Sequence, residues 1–457
     1  MSTFFIQNFG CRATQADADA IRQSLRAQGC SAAESDSSAD IVVLNTCTVT
    51  AAADAEARES IRRIHRQNPS ARIIATGCYA QRAPEELAAL PGVSWVVGNS
   101  HQHSIASLAN NHANFVPLSA VSANTTAPSR ILREEVSAHV PPIALPHRSD
   151  DSPDGLHADK FDDVFAASRT RPTLKIQDGC NHRCAYCVIP LVRGRSRSLA
   201  PATILGEVHR LMQTGAQEIV LSGIDLGSYG RDLALRVSLH ALVRKILDET
   251  ELPSLRLSSI EPIDITQDFV SLVASEPRIA PHFHLPLQSG SDRILRAMHR
   301  WYRAAHYARR VELIGSTLPH AAIGADVIAG FPGESDADHA ATMNFIAALP
   351  LSYLHVFSFS PRPGTEGANL PGAIRPHTIH QRARELRALG QTKAQHFRIS
   401  QQDTKTRVLT LDRKGENWTG ALSGNYLNVR VAGSWPRNRW LEVKIPADPA
   451  SLAPLAS

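Results

Sequence analysis

The chain alternates short β-branched and apolar runs with longer stretches whose apolar residues recur at helical spacing. Toward the N-terminus, TFFIQN (3–8), IVVLNT (41–46) and RIIATG (72–77) read as strands, with helices at DADAIRQSLRAQ (17–28) and ADAEARESIRRIHRQ (53–67) between them. Six more strand-like runs follow: TLKIQ (173–177), EIVL (218–221), LRLSS (255–259), HFHLPL (282–287), IGADVI (323–328) and YLHVFSF (353–359), each pair separated by room for a helix. Alternation of this kind predicts parallel pairing. After the helical QRARELRALGQTKAQHF (381–397), the pattern shortens to RVLTLDRKG, WTGALSG, YLNVRVAG and WLEVKI, which predicts a small closed β-barrel. Residues 111–170 lose periodicity and fill with Ala, Ser, Pro, His and Asp, the composition of a linker.

The predicted organisation is an α/β chain with a parallel-sheet domain over 1–110, a linker over 111–170, a six-stranded β/α domain over 171–400 and a β-domain over 401–457. A length of 457 residues fits about three domains. The formal charge of +5 suits a polyanionic partner without demanding one. No stretch approaches the roughly 20 apolar residues of a membrane span, and MSTFFIQNFG lacks the features of a secretory signal. A cytoplasmic protein with reduced thiols is expected.

Three of the seven cysteines crowd into QDGCNHRCAYCVIP (177–190) as Cys180, Cys184 and Cys187. Structural zinc normally takes four ligands, and no fourth Cys or well-spaced His follows. A [4Fe-4S] cluster suits the trio better, since three thiolates leave one iron open for chemistry. Zinc or an unliganded structural trio remains the alternative. Many strands of the second series end in small residues, among them Ser222-Gly223 and Ser289-Gly290-Ser291, which let a ligand approach the carboxyl ends where such folds place their sites. His282 and His284 share one strand face; with no third ligand visible, packing is the expected role.

The form C-x3-C-x-Tyr-C, as Cys180, Cys184, Tyr186 and Cys187, resembles the signature of radical S-adenosylmethionine (SAM) enzymes. The resemblance implies that the open iron chelates SAM and that one electron cleaves it to a 5′-deoxyadenosyl radical. It also implies that the six strands form a partial (β/α)6 barrel, that Tyr186 lies near the adenine, and that Ser222, Gly223, Ser289 and Asp326 contact SAM.

Cys11, Cys47 and Cys78 each come shortly after a β-branched run, so neighbouring parallel strands would gather them at one sheet edge. Cys30 follows a helix and reads as a structural thiol. On the residues alone, a second three-thiolate site and three buried small hydrophobes are both open. The stretches FGCRATQAD (9–17), NTCTVT (45–50), TGCYAQ (76–81), RGRSRS (193–198), HLPLQSGSDRIL (284–295), GADVIAGFPGE (324–334) and FSPRPGT (359–365) resemble the methylthiotransferase family. One departure is Thr14, where the family has asparagine.

That resemblance implies two [4Fe-4S] clusters, one on Cys11, Cys47 and Cys78 and one on Cys180, Cys184 and Cys187, with two SAM molecules per turnover. It implies tRNA as substrate, an electron donor such as flavodoxin or ferredoxin, and a sulfur source. The branch acting on threonylcarbamoyladenosine 3′ of the anticodon matches best, ahead of those acting on isopentenyladenosine or a ribosomal-protein aspartate. With GNYLNV (424–429), the C-terminal strands resemble the RNA-binding TRAM domain. Arg62 and Arg63, on a basic helix face, and Asn425 and Tyr426 are the expected RNA contacts. Rival readings make the first three cysteines structural, or the chain an iron–sulfur RNA-binding regulator without catalysis.

Overall fold

The computed structural model describes residues 2–10, 12–110, 131–132 and 170–456. Cys11 and most of the expected linker over 111–170 lie outside the described residues. The chain divides into two compact units. The first combines the N-terminal residues with Asp178–Arg197 and Ser360–Asn369. The second combines the strand leading to Gln177 with Ser198–Phe359 and the chain from Leu370 onward.

In the first unit, β1 (Thr3–Asn8), β2 (Ser31–Ala32), β3 (Ile41–Thr46), β4 (Arg72–Gly77), β5 (Val93–Val97) and β6 (Ile131–Leu132) form a parallel sheet in the order β2-β1-β3-β4-β5-β6. Every residue of β3 is buried, as a strand covered on both faces requires, which explains a continuous IVVL rather than an alternating pattern. The helix α1 (Arg12–Ala27) packs Ile21 and Leu25 with Phe4, Ile41 and Val43. The helix α2 (Ala51–Gln67) packs Ile61 and Ile64 with Val42 and Leu44, the opposite face of the same strand. Thr50 caps α2, its hydroxyl accepting from the Ala53 amide at 3.2 Å. Cys30 is buried in the α1-side core, and burial pushes its thiol up, which fits a structural thiol.

The six expected strands of the second unit are Thr173–Lys175, Ile219–Ser222, Leu255–Leu257, His282–His284, Ala322–Ala329 and Tyr353–Ser358. They form two three-stranded parallel sheets, and a bridge between Ser259 and His284 joins these into one row in chain order. Helices follow the strands, as in Leu239–Glu249 with Leu242, Val243 and Ile246 buried. Beyond the long helix Pro376–Ser400, five strands make a curled sheet in which Lys405–Gly415 and Trp418–Ser423 are central. Leu452–Ala453 pairs with Asn428–Ala432 at one edge, while Pro454 and Ala456 bond to Lys444 and Glu442 at the other. The curl therefore closes on itself, around Val408, Val429, Val431 and Val443.

A buried ion pair fastens this β-domain to the six-strand row. Arg256 and Glu218 are 0 % and 1 % exposed, with Nε to Oε1 at 2.8 Å and Nη2 to Oε2 at 3.1 Å. Arg256 also donates to the carbonyls of Gly424 at 2.9 Å and Ser423 at 3.1 Å. Burial alone would raise the Glu218 carboxyl, but the Arg256 and Arg171 guanidiniums outweigh it and hold the group below its usual range. Arg256→Met leaves that carboxylate buried with Arg171 at 3.3 Å and the Ser254 hydroxyl at 3.2 Å as its remaining partners, and is expected to cost about 3 kcal/mol of unfolding free energy, the low end for a broken buried pair. The double change Arg256→Met with Glu218→Met recovers most of that loss, as read from denaturant midpoints.

Candidate active site

The order of the first sheet reverses between β1 and β3, and open α/β sheets bind ligands in the crevice beyond the carboxyl ends at such a reversal. The register aligns Asn8 with Asn45 and Asn45 with Thr76, so β1, β3 and β4 end together. Cys47 follows β3 and Cys78 follows β4, with exposures of 6 % and 2 %. Gly10, at φ +103°, packs against Cys47 so closely that a Cβ there would lie 2.9 Å from Sγ. The residue before Cys11 thus touches Cys47, so only a glycine admits this approach. Thr14, the departure from the family pattern, keeps a local polar role: its hydroxyl donates to the Phe9 carbonyl at 3.1 Å, and its carbonyl accepts from Asn45 Nδ2 at 2.6 Å.

The second cysteine set sits on a turn held by its own backbone. The Cys180 amide donates to the Gly194 carbonyl at 3.0 Å, the Cys187 amide to the Cys184 carbonyl at 3.0 Å, and the His182 amide to Cys180 Sγ at 3.4 Å. All three thiols are half-buried, as is Tyr186. Three cysteines within eight residues, on a turn that leaves them partly accessible, fit a cluster bound by three thiolates with one iron open. The short helix Ile189–Arg193 continues the turn, and its Val188 and Val192 side pack against Cys78. Asn99 ties the same place together, with Nδ2 2.8 Å from the Val192 carbonyl and 3.8 Å from Cys78 Sγ.

Two arginines that sequence reasoning passed over hold these segments in place. Arg193, of RGRSRS, is buried and donates to Asp17 at 2.8 Å and to both oxygens of Asp178 at 3.1 and 3.2 Å. Arg362, of FSPRPGT, is also buried; it pairs with Asp54 and donates to Thr48 at 2.9 Å, where Arg82 binds the same two residues. A signal for both lay in the helices. Asp17 occupies the stripe Ala13, Asp17, Ile21, Leu25, and Asp54 the stripe Asp54, Ala57, Ile61, Ile64; all eight residues are buried. A carboxylate on a buried stripe demands a buried cation.

In the second unit, the register places Ser222 and Arg256 on one face of the first three strands, and His282, His284, Asp326, Tyr353 and His355 on one face of the last three. Of the expected SAM contacts, Ser222 and Ser289 are buried, Gly223 is half-buried beside Gln177, and Ser289 bonds Thr342 at 3.2 Å. Asp326 accepts from His284 Nε2 at 2.9 Å and from His355 Nδ1 at 3.2 Å. Of the two sequence histidines, His282 has the packing role expected of it, bonded to Tyr353 at 2.8 Å, while the ligand-capable atoms of His284, Asp326 and His355 lie within 4.8 Å of one another.

The expected RNA contacts divide. Arg62 is exposed, while Arg63 is half-buried and held by Asp36 at 2.8 Å and Gln67 at 2.9 Å. Asn425 is buried, donating to the His320 carbonyl at 2.9 Å and the Gln401 side chain at 3.2 Å. Tyr426, at φ +68°, stacks on His282 with centroids 4.5 Å apart, beneath Arg256. Geometry gives the last two internal work. A more open basic face lies on the curled sheet, where Lys405 pairs with Lys444 in register and Arg407 lies over the Trp440 ring at 4.7 Å. All three cations are exposed, and Lys405, Arg407 and Trp440 line a cleft of about 370 Å³.

A family model described as uncharacterized protein family UPF0004 matches residues 3–98, and one for the radical SAM superfamily matches 174–346. Threonylcarbamoyladenosine tRNA methylthiotransferase MtaB of Aquifex aeolicus is 34 % identical over 93 % of this chain and 96 % of its own length. The Bacillus subtilis protein of that name is 32 % identical over 95 % and 91 %. The chain belongs to the radical SAM methylthiotransferase family. A second group of members, represented by the tRNA-2-methylthio-N(6)-dimethylallyladenosine synthase of a Parafrankia species, is 31 % identical over 94 % and 82 %. Among solved structures, the radical S-adenosylmethionine methyltransferase TsrM of Kitasatospora setae shares the fold, with a TM-score of 0.58 at 17 % identity over 80 % of this chain and 77 % of that one. Membership makes the protein an enzyme that uses SAM and an iron–sulfur cluster, and no described helix is long and apolar enough to cross a membrane.

Proposed function

We propose that the enzyme converts threonylcarbamoyladenosine in tRNA to its 2-methylthio derivative with two [4Fe-4S] clusters, in the cytoplasm. The observation that carries the two-cluster reading is the close packing of Gly10 against Cys47 at the strand-order reversal, with Cys78 immediately after the next strand. Cys11, Cys47 and Cys78 would hold the sulfur-bearing cluster, and Cys180, Cys184 and Cys187 the one that binds SAM. When bound, these groups supply an electron, a sulfur atom and a radical able to break the unactivated C2–H bond of adenine. The chain's own residues position them: Arg193 fixes the Cys180 turn through Asp178 and Asp17, and Arg362 fixes the segment after Cys47 through Thr48 and Asp54. Tyr186, Ser222, Gly223, Ser289 and Asp326 are assigned to SAM. The functional segments are 1–110, 171–400 and 401–457, joined by the linker over 111–170.

An electron donor such as flavodoxin or ferredoxin and a sulfur source complete the turnover. The test is mass spectrometry of tRNA nucleosides from a strain lacking the gene: 2-methylthio-threonylcarbamoyladenosine disappears and its unmethylthiolated precursor accumulates. Retention of the methylthio nucleoside rejects the reading.

For tRNA binding, the supporting observation is the exposed Lys405, Arg407 and Lys444 beside Trp440. Lys405→Glu with Arg407→Glu is expected to weaken tRNA binding and to flatten its log–log salt dependence by about 0.7–0.9 for each phosphate that is no longer neutralised. Equal slopes for the variant and the parent enzyme reject this face as the RNA surface.

A further inference from the structure

A line of hydrogen bonds crosses the polar face of the strand row and ends in a half-exposed imidazole. Tyr353 Oη lies 2.8 Å from His282 Nε2 and 3.0 Å from His284 Nδ1. Gly324 permits this, since a Cβ there would sit 2.1 Å from the Tyr353 ring. His284 Nε2 and His355 Nδ1 both reach Oδ1 of Asp326. Burial would raise the Asp326 carboxyl, but hydrogen bonds and charge from the two imidazoles outweigh it and hold it well below the usual range, so it accepts from both rings. His355 is thereby committed through Nδ1–H, and its Nε2 is directed away from Asp326.

The His355 side chain is 54 % exposed and stands on Tyr353–Ser358, the edge strand of its sheet. Two residues further along the same face, Phe357 is 40 % exposed. An accessible aromatic ring beside an oriented, hydrogen-bonding nitrogen is the pair of features that holds a nucleobase by stacking and reads a polar group attached to it.

We propose that His355 selects the substituent on N6 of the target adenosine, favouring threonylcarbamoyl over dimethylallyl. The proposal rests on the tRNA methylthiotransferase reading above and decides between the two substrate groups that its relatives' names carry. A threonylcarbamoyl group offers a carboxylate, a hydroxyl and N–H donors. Neutral Nε2 accepts from the N–H or hydroxyl, and protonated Nε2 donates to the carboxylate, so it has a partner in either state. A dimethylallyl group offers none, and a site built for hydrogen bonding rejects an analogue that leaves its polar group unsatisfied. Asp326 acts through His355 as a positioning residue.

The test uses the reconstituted full-length enzyme, SAM, a reductant and two anticodon stem-loop RNAs, one carrying threonylcarbamoyladenosine and the other dimethylallyladenosine. His355→Phe and His355→Asn, the latter too short to reach the same point, are expected to lower kcat/KM for the first RNA by about 10- to 100-fold, chiefly through KM. The same variants narrow the preference between the RNAs, while His355→Gln stays within a few-fold of the parent. An active parent whose preference survives both disruptive variants overturns the proposal. So does loss of one equivalent of zinc or iron, beyond the cluster iron, in those variants, since the trio is then a metal site. A parent enzyme that methylthiolates neither RNA overturns instead the reading on which the proposal stands.

Discussion

Cys184→Ala is expected to reduce 5′-deoxyadenosine formation from SAM to the background of reductant alone, while the iron proposed for the N-terminal cysteines remains bound. The reason is local. Cys184 is the middle ligand candidate of a turn spanning eight residues, and its carbonyl also receives the Cys187 amide at 3.0 Å, so the backbone of the turn survives loss of the thiol. What is lost is one of three thiolates around a cluster whose remaining iron must stay open for SAM. Chromatographic measurement of 5′-deoxyadenosine after reduction, beside iron and sulfide analysis of the same sample, reads both halves of the expectation. Normal SAM cleavage by the variant removes the cysteine turn from the chemistry.

Periodicity carried most of the architecture. Each of the six runs from TLKIQ to YLHVFSF contains a strand, because strands paired in parallel and covered by helices on the outer face are rich in β-branched and apolar residues. The cysteine turn was legible for a different reason: its residues are adjacent in sequence, so spacing alone reports proximity. Where function depends on residues far apart, the local signal weakens. Arg362 lies 308 residues from its partner Asp54, and no local pattern joins them; only the carboxylate on an otherwise apolar helix stripe announced that a cation was owed. His355 was read as part of an apolar strand, because YLHVFSF says nothing of the Asp326 waiting in register on the next strand. Asn425 and Tyr426 illustrate the converse. A turn with Gly and Asn looks exposed, yet this one is drawn inward by Arg256, which binds its carbonyls while Tyr426 stacks on His282.

The same distance problem makes the N-terminal cysteines the most informative place for mutation. Cys47→Ala is expected to lose about half of the bound iron, the share of one cluster in two, and to continue cleaving SAM, since Cys180, Cys184 and Cys187 are untouched. Methylthio transfer to tRNA falls to background, so radical formation and product formation separate in one enzyme. The fold tolerates the change: Cys47 lies beyond the end of β3 at the margin of the α2-side core, and loss of one sulfur leaves a cavity near the size of a methyl group, costing about 1 kcal/mol. Cys30→Ala supplies the contrast. That thiol sits among Phe4, Ile21 and Leu25, just before Ser31, which pairs with Thr3 at the amino end of β1 and so opposite the carboxyl ends, and its loss costs packing, about 1 kcal/mol for a cavity near the size of a methyl group, without touching either activity. Both products are measured in a single reaction, 5′-deoxyadenosine beside methylthiolated nucleoside. If Cys47→Ala still makes the nucleoside at the parent rate, the crevice between β1 and β3 is not where sulfur is held, and the close approach of Gly10 to Cys47 is packing alone.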